Sequence, residues 1–521
     1  MLVSFSGGGS AGASPSQSLL VAAGVLEYDS PHRNDSPVWL ETGRNPRDHL
    51  TVWTSGSEAW PTSRRDWLAR ALAGLGVSIG ATRARAAGEL TSSFAGFGRA
   101  KSVLMIYASG GQSQLDMWDP KPQAPAEVRG AFDTISTAVP GLQFGEHLPL
   151  TARVAHRFTV IRSMSHEDVD HGSATYLALT GHYHARRSGN PPPTPFDLPT
   201  FGAIVKKVRP SQRHPYSAVH MNGPALAPLL PSPGQNAGCL GAEFDPLVIA
   251  DASRSTAALD GLDRLEGVPE SRTSARRQLL NEVERAGTLT GAAESRRLAS
   301  HYDQAYRQHD SPHTQRAFDL SLETDVVRDR YGRNRSGQAC LLARRLVEAE
   351  VPWVNVIWSP SNRGQDVAPD DTDQYGWDTH NDIFDALKIH LLPRFDQAFS
   401  ALIEDLDQRG LLDQTLVVCM GEFGRAPLVA LEPRFAGATP GRKHWAAVYS
   451  IVMAGAGVAR GAVYGSSDRH GAYVRSNPVG PWDVSATLFS ALGIDPSQEL
   501  RDRTDRPFPL STGRPIAGIY A

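Results

Sequence analysis

The chain of 521 residues is poor in cysteine and has no long apolar segment. Its three cysteines, Cys239, Cys340 and Cys419, are far apart and odd in number, so they indicate neither a disulfide framework nor a cysteine zinc site. We expect them to be small buried hydrophobic residues. Because no segment is long and apolar enough to cross a bilayer, the sequence predicts no integral membrane span.

Net charge is also nearly absent. The 52 basic and 55 acidic residues leave a formal charge of −3 at pH 7. A chain this close to neutral lacks the basic surface that nucleic acid or an anionic membrane attracts, so we expect neither as its main partner. Hydrophobic residues make up 40% and charged residues 21%, which is typical of a soluble globular protein.

Residues 63–87 have the features of a bacterial export signal. The pair Arg64 and Arg65 precedes a short, weakly hydrophobic stretch at 71–81, and residues 84–86 offer a small-x-small cleavage site. This order is typical of a twin-arginine signal peptide. The alternative is the start of an amphipathic helix with two surface arginines. We expect export by the twin-arginine pathway to the periplasm or the cell exterior.

Residues 1–62 precede this signal and are rich in glycine, serine and proline without sustained periodicity. Such a composition predicts disorder. A signal peptide belongs at the N-terminus, yet no methionine lies between Met1 and Met105. We therefore expect translation to start at a non-methionine codon near Val52, with residues 1–51 an artefact of gene prediction.

From residue 98 to residue 521, strands alternate with helices. Continuous apolar runs predict strands at 101–108, 158–162, 351–358, 414–420 and 447–454. Helical spacing or a terminal glycine predicts helices at 175–179, 384–406 and 485–492. Residues 252–350 are charged and helix-like, which predicts a helical insert. Alternation over this length favours a single α/β domain with a mostly parallel sheet.

Three polar motifs are expected where strands of this sheet end. Asp378 and His380, in GWDTH, are two apart, so in an extended segment their side chains face the same way. Glu422, in GEFGR, follows one strand, and His444, in GRKHW, precedes the next. Ligands of such sheets bind beyond the C-terminal strand ends, so these side chains could converge. Carboxylate and imidazole together predict a divalent metal site, although a single histidine there is more often structural.

A fourth cluster lies upstream, at the start of the helix predicted around 175–179. Four titratable residues crowd that end of the helix: His166, Asp168, Asp170 and His171. Free backbone N–H groups and the helix dipole favour an anion such as phosphate or sulfate there. A helix end capped by its own acidic residues explains the same pattern equally well.

A fifth cluster follows the first strand. A glycine pair in SGGQSQLDMWDPKP permits a tight turn and close approach of a ligand. Asp116 and Asp119 are candidate metal ligands in this segment. A turn with solvated acidic residues is the competing interpretation.

These segments resemble a family known as domain of unknown function 1501, within the alkaline phosphatase and sulfatase superfamily. The resemblance implies a three-layer α/β/α sandwich of the alkaline phosphatase kind over residues 98–521. It also implies a metal-dependent hydrolase that acts on phosphate, sulfate or related esters of a small molecule or a polymer. It does not specify an oligomeric state. The matching stretches are SVLMIYASGGQSQLDMWDPKP, HGSATYLALTG, YGRNRSGQACLLARRLVEAEVPWVNV, YGWDTHND, LLDQTLVVCMGEFGRAP, GRKHWAAVYSIVMAGAGVARGAVYG and PWDVSATLFSALGI.

The resemblance further implies a ligand set. Asp378 and His380 would bind one divalent metal, zinc or alternatively manganese or calcium, with His444 as its third ligand. Glu422 stands where the superfamily has an aspartate ligand, and Phe423 stands where it has a histidine. Because phenylalanine cannot bind a metal, the second metal site is expected to be incomplete.

Other positions depart from the superfamily pattern. His171 falls at the position of the nucleophile, which rules against a mechanism that needs formylglycine. The usual aspartate after the first strand is absent unless Asp116 reaches the site. In a single-metal mechanism, His171 or Glu422 could transfer protons, and Arg425 or Arg162 could bind an anion.

Three functions compete on this sequence. The first is an exported metal-dependent ester hydrolase. The second is a catalytically degenerate, sulfatase-like protein that binds a ligand or assembles at a surface, which Phe423 and the histidine at position 171 favour. The third is a structural metal site that only holds the strand ends together and has no catalytic role.

Overall fold

The computed structural model describes residues 94–227, 230–253, 269–288, 312–359 and 375–520. The expected extension at 1–62 and the expected signal peptide at 63–87 lie outside these residues. Within them, no helix combines the length and the apolar character that a bilayer crossing requires. All three cysteines are buried free thiols, as expected.

An eight-stranded sheet forms the centre of the described chain. Its strands are β1 (Ser102–Tyr107), β2 (Thr159–Met164), β3 (Ala218–Met221), β4 (Leu247–Ile249), β5 (Trp353–Ile357), β6 (Thr415–Met420), β7 (Tyr449–Ala454) and β8 (Ala462–Tyr464). Their order across the sheet is β8-β2-β7-β6-β1-β5-β3-β4. β7 runs antiparallel to its neighbours β2 and β6, and the other pairs are parallel. The expected mostly parallel sheet is confirmed.

Helices and small two-stranded sheets complete the described fold. The helices are α1 (Ala126–Arg129), α2 (Pro149–Val154), α3 (His171–Thr180), α4 (Phe201–Val208), α5 (Glu270–Thr288), α6 (Pro312–Phe318), α7 (Asp325–Tyr331), α8 (Arg335–Glu348), α9 (Ile383–Asp385), α10 (Leu392–Gln408) and α11 (Pro481–Ala491), with a π-helical stretch, Ala386–Leu391, between α9 and α10. The small sheets pair Thr134–Ser136 with Gln143–Gly145, Gly424–Arg425 with His444–Trp445, Ser466–Ser467 with Val474–Ser476, and Glu499–Arg501 with Pro507–Pro509.

Hydrophobic cores lie on both faces of the main sheet. Along β1, Leu104 and Ile106 enter one core, and Val103 and Met105 enter the other. Helices α8 and α10 close the first core, and helices α4 and α11 close the second. Strands covered on both faces are nearly continuous apolar runs, which explains the apolar residues 103–107 of β1. The result is the expected three-layer α/β/α arrangement.

All five predicted strands are confirmed, whereas β3, β4 and β8 were not predicted. These strands have only four, three and three residues, and β4 and β8 form the two edges of the sheet. Runs this short carry too little periodicity to be distinguished from loops. The described parts of residues 252–350 contain α5 to α8, and whether they form an insert stays a prediction.

One buried histidine of the sheet should make the fold sensitive to acid. His220 on β3 is 3% exposed, and burial lowers its pKa to about 4. Burial also lowers the pKa of His214 to about 4. Between pH 6.5 and pH 4, these histidines bind protons in the unfolded chain, where the histidine pKa is near 6.5, but stay neutral in the folded chain. Each histidine should therefore lower the free energy of unfolding by up to about 1.4 kcal/mol per pH unit as pH falls from about 6.5 to about 4.

Urea unfolding at several pH values in that window measures this slope. His220→Leu, which cannot take up a proton, should lose the share of the slope that one histidine contributes while His214 keeps its own. His156→Leu, at an exposed position, serves as the control and should keep the full slope. Equal slopes in the wild type and His220→Leu would contradict the assignment.

Candidate metal centre

The candidate site lies at the edge of the sheet where the parallel strands end. Glu422 follows the last residue of β6 by two positions, and His171 opens α3 after β2. His444 lies shortly before β7, whose antiparallel direction brings its first residues to the same edge. Asp378 and His380 belong to the segment that leads into α9. Strand direction thus explains why residues far apart in sequence meet here.

Three of the expected ligands converge on one point. Asp378 Oδ1 lies 3.1 Å from His380 Nε2 and 3.1 Å from His444 Nε2. The two Nε2 atoms are 2.9 Å apart. His171, which was expected to act as a catalytic group, also reaches the cluster, with Nε2 3.1 Å from Asp378 Oδ2. His171, Asp378 and His444 each offer a ligand atom, all within 4.8 Å of one another.

The hydrogen bond behind His444 supports a cation at this point. Its Nδ1 lies 2.7 Å from the Val169 carbonyl oxygen, which accepts the proton of that nitrogen. A neutral imidazole carries one proton, so Nε2 presents a lone pair to the cluster. A lone pair facing the negative Asp378 Oδ1 is unfavourable without a cation nearby. Metal-binding histidines are commonly oriented by such a carbonyl, so the residues present fit a divalent metal.

The charges of the cluster fit the same interpretation. Burial, and then the charge of His171, lowers the pKa of His444 to about 3. Burial would raise the pKa of Asp378, but the positive charges of His171 and Arg425 hold it well below its usual range. The pKa of His171 rises to about 9, since Asp378 and Glu422 outweigh the effect of burial. Neutral His444 and ionised Asp378 are the protonation states that metal ligands require.

Arg425 is fully buried and holds Asp378 in place. Its Nη2 donates to Asp378 Oδ1 and to the Trp377 carbonyl, at 2.9 Å each, and its Nε donates to the Gly111 carbonyl at 3.2 Å. These bonds join the loop after β1, the segment of Asp378 and the turn after β6. An external anion, the partner expected from the sequence, would have to compete with them.

Glu422 contacts the cluster through His171. One carboxylate oxygen lies 2.7 Å from His171 Nδ1 and accepts the Gly110 N–H at 2.8 Å. The other lies 3.0 Å from the hydroxyl of Tyr107, which is also 2.9 Å from Thr175 Oγ1. Burial and the charge of Glu422 raise the pKa of Tyr107, which keeps this hydroxyl protonated. Glu422 therefore orients His171 and is placed behind the three convergent ligands.

The structure does not bring Asp116 or Arg162 into the cluster. Asp116 forms a buried ion pair with Arg442, whose Nε lies 2.9 Å from its Oδ2, and it also accepts the Ser113 hydroxyl. Arg162 lies 3.2 Å from the carboxylate of Asp119. Among the described residues, no hydrogen bond or ion pair links either side chain to the metal-ligand atoms.

The start of α3 is covered by the chain itself. The Gly172 N–H donates to Asn190 Oδ1 at 2.7 Å, and the Ser173 N–H donates to the Gly189 carbonyl at 3.0 Å. The hydroxyl of Ser173 donates to Asp168 at 2.8 Å. These contacts favour internal capping over anion binding at this helix end.

Two buried residues that hold the loops around the site, Tyr107 and Arg442, were not predicted from the sequence; Tyr107 contacts Glu422, and the Arg442 carbonyl accepts a hydrogen bond from Arg425 at 3.3 Å. Tyr107 ends β1 directly before the glycine turn, which is where a strand delivers its last side chain to the sheet edge. Arg442 lies two residues before His444 in the motif that had been singled out for its histidine. Their positions were a usable signal for both, but their partners, Glu422 and Asp116, are more than 300 residues away in sequence.

Solved structures with some likeness to the chain include three bacterial proteins. A sulfatase from Pseudoalteromonas sp. shares 14% identity over 81% of this chain and 72% of that one, with a TM-score of 0.38. A phosphonate monoester hydrolase from Silicibacter pomeroyi shares 12% over 80% and 75%, with a TM-score of 0.35. The lipoteichoic acid synthase LtaP from Listeria monocytogenes shares 10% over 77% and 74%, with a TM-score of 0.32. Likeness at this level does not define an activity.

No curated protein matches the chain at a significant level. The family described as "Protein of unknown function (DUF1501)" matches residues 100–520, which include every strand of the main sheet and every residue of the candidate site. A match over this length exceeds half of the chain, so the chain belongs to the DUF1501 family.

Proposed function

We propose that the chain is a metal-dependent hydrolase of phosphate, sulfate or related esters. The observation that carries this proposal is the convergence of Asp378, His380 and His444 on one point at the sheet edge. Two imidazoles with one carboxylate are a ligand set of catalytic zinc sites, so zinc is the first candidate, with manganese and calcium as alternatives. Such a set leaves room in the coordination sphere for water or substrate.

The chain's own residues have separate roles in this proposal. A bound divalent cation would polarise an ester oxygen and lower the pKa of a water. His171 lies beside the ligands and is held through Nδ1 by Glu422 at 2.7 Å, so its Nε2 is placed to carry a proton to or from a reacting group. Glu422 and Tyr107 fix the ring of His171, and Arg425 fixes the carboxylate of Asp378.

One observation favours the alternative of a degenerate, non-catalytic site. The ring of Phe423 is 1% exposed and packs beside the cluster, with centroids 4.5 Å from His444 and 5.1 Å from His171. This apolar ring takes space next to the ligands that a second polar group would otherwise occupy. In that case the protein would bind a ligand or assemble at a surface without turnover. The third function is a structural metal site that holds the strand ends together. Removing that metal would lower the melting temperature of the protein without any loss of activity.

We further propose that the protein is exported by the twin-arginine pathway and acts in the periplasm or outside the cell. The support is the order of paired arginines, weakly hydrophobic stretch and small-x-small site within residues 63–87. That pathway carries folded proteins, so a metal could be inserted before export.

Loss of one proposed ligand should weaken metal binding and abolish turnover. We expect His380→Ala to weaken zinc binding by at least about 100-fold, because removing a residue that only orients a ligand already weakens binding by up to about that factor. Elemental analysis of the purified protein and a panel of phosphate and sulfate esters measure the two effects. His156→Ala, at an exposed position, is the control and should retain both. A metal-free, inactive and normally folded wild type would overturn the enzyme proposal.

Substitution of Asp116 tests whether this residue stabilises the fold or binds the metal. Asp116→Asn leaves the buried guanidinium of Arg442 without its ionic partner, which should destabilise the fold by about 3 kcal/mol and leave the metal content unchanged. Thermal or urea unfolding and elemental analysis test the two parts. Asp133→Asn, at an exposed position, should change neither. A lost metal with unchanged stability would instead identify Asp116 as a ligand.

The export proposal predicts a retained precursor. Changing Arg64 and Arg65 together to lysine should keep the protein in the cytoplasm. The wild type should be found beyond the inner membrane, cleaved before Ala87. Cell fractionation and N-terminal sequencing of the exported form measure these outcomes. Changing Arg83 and Arg85 to lysine is a charge-matched control. Export of the double variant at the wild-type level would refute the pathway.

A further inference from the structure

A hairpin between β6 and β7 carries one of the proposed ligands, His444. At its base, Gly424–Arg425 pairs antiparallel with His444–Trp445. Further out, Ala430 and Gly441 exchange backbone hydrogen bonds of 2.9 and 3.0 Å. We call residues 424–445 the site hairpin. His444 lies on its returning strand, so the path of the hairpin sets where this ligand enters the cluster.

Asn381, directly after His380, holds the outer part of the site hairpin. Its side chain is fully buried, and its Oδ1 accepts the Glu432 N–H at 2.9 Å. Its Nδ2 donates to the carbonyls of Glu432, Phe435 and Ala436 at 3.0, 3.2 and 3.1 Å. One amide side chain thus bonds to four backbone groups of residues 432–436, of which the Glu432 carbonyl also accepts the Phe435 N–H at 3.1 Å.

The next residue extends the same attachment. Asp382 has a φ of +51° and accepts the Thr439 N–H at 2.6 Å and the Ala438 N–H at 3.1 Å. Its own N–H donates to the Thr439 carbonyl at 3.0 Å. A Cβ added at Gly441 would lie 1.9 Å from the His380 carbonyl oxygen, so the two backbones are in direct contact. The hairpin and the segment 380–382 therefore form one packed unit.

The attached hairpin also contacts a ligand ring. The ring of Phe435 stacks on the imidazole of His380, with centroids 3.9 Å apart and planes 20° apart. Phe435 is in the stretch that Asn381 binds. Nε2, at the edge of the same imidazole, faces His444 and Asp378 at 2.9 and 3.1 Å. The orientation of His380 and its separation from His444 thus depend on a single structural unit.

We propose that Asn381 is a positioning residue of the metal centre. It locks the site hairpin onto the segment of His380, so that Phe435 fixes the ring plane of His380 while the same hairpin carries His444. Metal affinity then depends on an amide that contacts neither the metal nor the substrate. This inference rests on the proposed metal site, and it adds the residue that sets the geometry of its two imidazoles.

The test is zinc affinity of the full chain, measured by competition with a chromophoric chelator at a temperature where circular dichroism shows the wild type and the variant to be folded. Asn381→Ala should weaken zinc binding about 10–100-fold, the range seen when partners that orient ligands are removed. Asn334→Ala is the matched control. Asn334 also accepts a backbone N–H, that of Gly337 at 2.8 Å, but at the start of α8, where we expect a loss of stability with zinc affinity unchanged.

Phe435→Leu provides a second route, since it removes the stacking on His380 and leaves the bonds of Asn381 in place. It should weaken zinc binding several-fold, and it decides the question if Asn381→Ala does not fold. The positioning role is overturned if Phe435→Leu binds zinc as the wild type does and Asn381→Ala either does the same or misfolds. It is also overturned if Asn381→Ala and Asn334→Ala weaken zinc binding equally. A wild type that binds no divalent cation refutes the proposed metal site itself, which distinguishes that failure from a failure of the positioning role.

Discussion

Asp378 carries a negative charge where its side chain is only 8% exposed, and the surrounding loops are arranged around that charge. A buried carboxylate is tolerated only when positive groups and hydrogen-bond donors surround it. Arg425 supplies one such partner, and His171 supplies another, at 2.9 and 3.1 Å. His380 and His444 present Nε2 atoms to the same carboxylate. Among the described residues, Asp378 is the carboxylate that forms an ion pair with Arg425, so loss of Asp378 would leave this buried positive charge unpaired there.

This dependence joins the stability of the site to that of the fold. Arg425 binds backbone carbonyls at Gly111 and Trp377 as well as Asp378, so the charge that orients a proposed ligand also ties together three loops. Glu422 performs a similar task for His171, with the N–H of Gly110 as its anchor. The polar groups at the sheet edge are therefore held by other polar groups, and the apolar strands behind them provide a rigid base.

Much of this arrangement could be predicted from the sequence, because it follows from local patterns. The continuous apolar runs of β1 and β6 predicted strands, and strands that run parallel end at the same edge of the sheet. Asp378, His380 and His444 were expected to meet there, and they do. The short strands β3, β4 and β8 escaped notice because their residues are held in the sheet by neighbours distant in sequence and show little pattern of their own.

The sequence by itself determined which side chains lie next to the strands, since apolar periodicity is a local property, whereas the antiparallel direction of β7 that brings His444 to this edge is a property of the sheet. Only the tertiary structure decided their partners. Asp116 pairs with Arg442, 326 residues away, and lies apart from the metal ligands. Arg425 forms a hydrogen bond with Asp378, and Asn381 forms hydrogen bonds with a hairpin that was not predicted from any local pattern. Pairings of this kind depend on how loops from different strands pack together, because a buried polar atom bonds to whichever complementary group the fold brings within reach.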